Sequence, residues 1–68
     1  MKPTFQYDPE ADAAYLRFAD GKVAETEEVS SGIVLDHDED GRIVGIEFLA
    51  ASKRLPASVL TAAMGDRP

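Results

Sequence analysis

Asp36, Asp38, Asp40 and Glu47 stand at the spacing D-x-D-x-D-G-x5-E, with Gly41 after the third acid and Ile43 between the glycine and the glutamate. That is the pattern of an EF-hand calcium loop, where alternate carboxylates and a terminal bidentate glutamate help to supply the roughly six to eight oxygens that the ion takes. Such a loop works only when a helix enters it and another leaves it. Here the approach is Ser30-Ser31-Gly32-Ile33-Val34-Leu35, a short run with a glycine and β-branched residues, both poor in helices. The exit, Arg42-Ile43-Val44-Gly45-Ile46-Glu47-Phe48-Leu49, has the β-branched and aromatic composition of a strand. The elements that position these acids are therefore strands.

Asp40-Gly41 between two apolar runs signals a tight hairpin with both turn residues at positive φ. A two-residue loop there sets His37 against Val44, Asp36 against Gly45, Leu35 against Ile46, Val34 against Glu47 and Ile33 against Phe48. One face then carries Ile33, Leu35, His37, Val44, Ile46 and Phe48, and the other carries Val34, Asp36, Asp38, Ile43, Gly45 and Glu47. A three-residue loop mixes the two sets, so burial of the apolar one selects an even loop. In this register Asp36, Asp38, Asp40 and Glu47 form an acidic surface open to water. No metal or cofactor site is expected of it, and weak divalent-cation (calcium) binding through these four acids is the alternative reading.

Upstream, Thr4-Phe5-Gln6-Tyr7 alternates as a strand and meets an Asp8-Pro9 turn in which Asp8 can bond the backbone beyond it. Ala13 to Ala19 follows as a half-buried strand, with Ala14, Leu16 and Phe18 on one face and Tyr15 and Arg17 on the other. Asp20-Gly21 reads as a second hairpin turn into Lys22 to Val29, in a bulged register that pairs Leu16 with Ala24 and Tyr15 with Glu25. After Leu49 the composition turns helical. Val59, Leu60, Ala63 and Met64 make an apolar stripe at helical spacing, stopped by Gly65 and Pro68. That stripe either closes the chain's own sheet or meets a partner, so its four residues are the interface candidates. The fold class is α+β: a small antiparallel β-meander of four to five strands followed by a short C-terminal helical segment. It forms a single small domain over residues 1–68, with β-hairpins at 3–49 and a helical tail at 50–65.

Composition narrows the function. Thirteen acids against seven bases give a net charge of −6, which opposes nucleic acid and anionic membranes as partners. The paired bases Lys53-Arg54 read as a solvated helix end. The absence of cysteine removes thiol chemistry and disulfide staples and fits a reducing, cytoplasmic setting, and the chain shows no apolar leader or spanning stretch. His37 is the one histidine and falls on the apolar face with no nucleophile beside it, while Ser30, Ser31, Ser52 and Ser58 suit turns and caps. An enzyme is not expected. A chain of 68 residues buries only about 60% of its unfolded surface, so added burial through a homodimer or another protein, possibly a basic one, is.

Three strings carry a family resemblance: Tyr7-Asp8-Pro9-Glu10-Ala11-Asp12-Ala13-Ala14-Tyr15-Leu16, Gly32-Ile33-Val34-Leu35-Asp36-His37-Asp38, and Asp40-Gly41-Arg42-Ile43-Val44-Gly45-Ile46-Glu47-Phe48-Leu49. Over residues 5 to 55 the chain resembles the family of small prokaryotic proteins catalogued as domain of unknown function 2283. The resemblance implies a short β-meander followed by helix, with the acidic string as a hairpin. It supplies no catalytic or ligand residues. It also implies a role like that of an antitoxin-type partner of a neighbouring gene product.

Overall fold

The computed structural model describes residues 3–65, with the side chain of Met64 and the stop at Pro68 lying outside what is described. Five strands form one antiparallel sheet: β1 (Thr4–Asp8), β2 (Ala13–Arg17), β3 (Glu25–Ser30), β4 (Ile33–His37) and β5 (Ile43–Leu49). A 3-10 turn at Ala51–Lys53 and the helix α1 (Ala57–Gly65) follow, which is the α+β arrangement read from the sequence. The strand order is β1-β2-β5-β4-β3, so β5 lies in the middle and β1 and β3 are the edges.

This order corrects the hairpin expected at Asp20-Gly21. β2 pairs with β1 and β5 rather than with β3, so Leu16 meets Phe5 on one side and Ile46 on the other. Residues 18–24 instead cross from one side of the β5–β4 pair to the other. Arg17 holds this crossover by donating Nε to the Ala19 carbonyl (2.8 Å) and Nη2 to that of Gly21 (2.7 Å). The physical reason lies in β3. Glu25, Glu27 and Glu28 could not occupy the apolar centre of a sheet, and every residue of β3 is exposed.

The Asp40-Gly41 turn is also different in kind. The Gly41 N–H donates to the Asp38 carbonyl (3.0 Å) and the Asp38 N–H to the Arg42 carbonyl (2.9 Å), closing a loop of Glu39, Asp40 and Gly41. Of Asp40 and Gly41, Gly41 alone has positive φ, at 80°. Asp38 decides the geometry, because its Oδ1 accepts from the N–H of both Asp40 (2.9 Å) and Arg42 (3.0 Å) and so fixes a type I turn ending in a left-handed glycine. An odd loop would exchange the two faces, but β5 carries a compensating bulge. Asp36 pairs with Gly45 and His37 with Ile43, leaving Val44 as the extra residue. The pairs Leu35–Ile46, Val34–Glu47 and Ile33–Phe48 are those that alternation demanded.

Packing is confined to one face. Ala14, Ala51 and Leu60 are buried together, with Phe5, Tyr7, Phe48 and Leu55 packed against them, and α1 docks chiefly on β1. Val44 is buried separately, within reach of Gly21 on the crossover. The other buried apolar residues are alanines and Leu60, and no large side chain among the described residues is fully enclosed. The molecule is a slab of 34 × 28 × 17 Å, a sheet with helix over part of one side. No helix among the described residues is long and apolar enough to cross a membrane.

Candidate functional site

The surface with the most unfinished packing lies on the apolar face, beyond the helix. Opposite residues of an antiparallel ladder share a face, so Leu16 on β2, Ile46 on β5 and Leu35 on β4 form a row across three strands, with Ile33 beside it. All four are half-buried, between the helix-covered end and the crossover that reaches Val44. The row continues onto β3, where Glu27 stands opposite Leu35 and Glu25 opposite His37. Val29, in an irregularity between Glu28 and Ser30, is 49% exposed. The aliphatic band thus ends at a bare, acidic strand edge. In the sequence these glutamates stand out only as charge; their place at an edge comes from the crossover that carries β3 to the far side of β4.

The four acids of the calcium-like string are not gathered into one place. Among the described residues no three His, Asp or Glu side chains come together so as to hold a metal ion. Asp36 is engaged instead: Tyr15 donates its hydroxyl to Oδ2 (2.7 Å) and Thr26 donates Oγ1 to Oδ1 (3.0 Å). Tyr15 belongs to β2 and Asp36 to β4, so the phenol spans the intervening β5, a reach of about 10 Å between strand axes. Gly45 makes this possible, since a Cβ there would collide with the Tyr15 hydroxyl. Burial of the phenol, followed by its hydrogen bond to Asp36 and the charge of that carboxylate, raises the Tyr15 pKa above its ordinary 10.0. Asp38 is committed to its turn, Asp40 lies on the exposed loop, and Glu47 is the partner of Tyr15 and Val34 across the ladders. His37 is half-buried at the end of β4, and its carbonyl accepts from Ala24 N–H (2.7 Å) to begin the β3 ladder.

The helical stripe divides. Leu60 is core, Val59 is 38% exposed, Ala63 is half-buried, and Met64 has no described side chain. What holds the tail is Asp12, at φ 53° in the β1–β2 turn. Its carboxylate accepts from Tyr7 Oη (2.7 Å), Ser52 N–H (3.0 Å) and Ser52 Oγ (2.7 Å), while its carbonyl accepts from Ala51 N–H (2.9 Å). The hydrogen bond from Tyr7, then that from Ser52 Oγ, lowers the Asp12 pKa below 3.8, and the same bond raises Tyr7 above 10.0. Arg54, read from the sequence as a solvated helix end, is a staple: Nε donates to the Leu49 carbonyl (2.9 Å) and Nη2 to that of Ser31. Gly32, at φ 81°, leaves room for this guanidinium, which a Cβ would strike.

An open groove of about 930 Å³ runs beside β1, lined by Phe5, Gln6, Tyr7, Tyr15 and Glu47 among others. It brings no histidine to these acids and phenols.

Comparison with known proteins is narrow in outcome. No curated protein and no solved structure matches this chain. One family model matches residues 4–52, described as a protein of unknown function (DUF2283). These residues take in all five strands, the Asp12–Ser52 link and the half-open aliphatic row, and on that match the chain belongs to the DUF2283 family.

Proposed function

We propose that this protein is a non-catalytic protein-interaction module, completed by a second polypeptide that covers the open part of its sheet. The observation that carries this reading is the row Leu16–Ile46–Leu35 with Ile33, half-buried and flanked by exposed β3, in a chain whose helix covers only the β1 end. An apolar band that a small fold leaves half-open is a recognised mark of an association surface. The second polypeptide is either another copy of the chain or a different protein, as the antitoxin-type expectation has it.

Light scattering on the untagged protein, paired with its recovery from its own host, tests the module directly. Association with itself or with a stoichiometric partner is expected, and replacing Leu35 and Ile46 by threonine weakens it while circular dichroism retains the sheet. A monomer at high micromolar concentration that also comes out of its host alone overturns the reading. So does an association that the two threonines leave unchanged.

A further inference from the structure

We propose that the β3 edge, Glu25–Glu28, is the docking strand of this module and takes a basic extended segment of a different protein as a sixth strand. The inference deepens the interaction reading and rests on it. β3 is an outermost strand, so one side of its backbone has no partner within the sheet, and all six of its residues are exposed. An edge of this kind pairs with any extended chain whose side chains suit it.

The side chains specify the partner. Glu28 is already used, its carboxylate accepting from the Gly32 N–H (3.2 Å), and Thr26 is held by Asp36 (3.0 Å). Glu25 and Glu27 remain, and the ladder places both on the apolar face, opposite His37 and Leu35. They are two residues apart, so a strand laid beside β3 meets them with side chains at i and i+2 on one of its faces. Lys or Arg at those two positions satisfies both glutamates, and apolar residues following them fold onto the band of Leu35, Ile46 and Leu16. Val29, exposed at the end of the strand, extends the apolar contact.

A second copy does not suit this edge. An antiparallel β3–β3 ladder with its two-fold axis at Glu27 sets Glu27 against itself, and an axis at Thr26 sets Glu25 against Glu27. Either one joins two chains of net charge −6. Like charges directly opposite destabilise a ladder, whereas a cationic strand gains on-rate and register from the same field. The occupant is therefore a foreign, cationic strand.

The test uses the full chain and a short synthetic peptide with lysine at two alternate positions and valine at the next two positions of the same face (Lys-Thr-Lys-Thr-Val-Thr-Val), followed by amide NMR and hydrogen exchange. Added protection and shifts concentrated at residues 25–28 are expected. Affinity falls at least about tenfold for the Glu25→Lys, Glu27→Lys double variant, whose positions are exposed and leave the fold intact. A peptide of the same charge with proline at two central positions loses binding too, because it cannot pair as a strand. Shifts scattered over every acidic surface, or binding that survives the prolines, overturn the strand assignment, as does protection appearing at Thr4–Asp8 instead. If the peptide fails to bind while the protein still associates, and association survives the double charge reversal, the β3 proposal falls and the interaction module stands. If neither peptide binding nor association is found, both fall.

Discussion

β1 and β3 are both outermost strands of the same sheet, yet they are finished in opposite ways. β1 is roofed by α1, carries Phe5 and Tyr7 into the packed cluster, and is tied through Tyr7 and Asp12 to Ser52. β3 is exposed at every residue and carries three glutamates. At one edge the apolar face is covered by the chain's own tail. The other is kept from pairing with its like by charge, while its backbone stays free for a cationic strand. The contrast shows how a chain of 68 residues can concentrate its packing at one end of a sheet and leave the strand at the other end exposed.

The largest effect that separates the two ends is expected from Leu60→Ala. Leu60 is 7% exposed at the centre of the covered end, so its loss costs about 2–4 kcal/mol, equivalent to a Tm lowered by roughly 10–20 °C in a thermal melt. A drop of under 3 °C would show that the helix contributes little to the sheet. Next comes Gly32→Ala, which combines a φ of 81° with a collision against Arg54 and is expected to cost about 1–2 kcal/mol in a urea titration. If Arg54→Ala, made in the Gly32→Ala background, costs as much as it does alone, the collision is not the cause.

The third effect is one of pH. Asp12 has a lowered pKa in the fold, so its contribution is present above 3.8 and is lost as the pH falls through the folded value. Tyr7 is raised, so its contribution is present below 10.0 and is lost as the pH climbs through its folded value. Hydrogen exchange should therefore show β1 and the 51–53 turn loosening before β3–β4 below pH 3.8, and Asp12→Asn should flatten that difference. Simultaneous loosening of both ends would remove Asp12 as its origin. The smallest effect is Glu27→Lys, on an exposed edge, with stability expected to stay within about 0.5 kcal/mol of the parent while partner binding weakens.

Alternation made much of this legible in advance. Ala14, Leu16 and Phe18 against Tyr15 and Arg17, and Ile33, Leu35, Ile46 and Phe48 against Asp36 and Glu47, define the faces because a strand has a period of two. The strand order was not legible, because Asp20-Gly21 carries the chemistry of a tight turn and only the Arg17 guanidinium, acting on two carbonyls, shows that it serves a crossover. Asp12 and Arg54 were missed for a similar reason: each acts through contacts with segments distant in sequence, Ser52 and Ser31, that no local pattern records. The site was half legible. The acids were visible as charge, but the edge position of Glu25 and Glu27 required the crossover.

Val44 has a consequence for how such chains change length. The loop Glu39–Gly41 and the extra residue in β5 both lie outside the pairs Asp38–Arg42, His37–Ile43 and Asp36–Gly45, so excising Val44 leaves each of these partners in place and turns the bulge into a plain ladder. Val44 is thus the one interior position of β5 expected to be excised without a change of register, and amide hydrogen exchange of such a variant should find the same residues protected on either side.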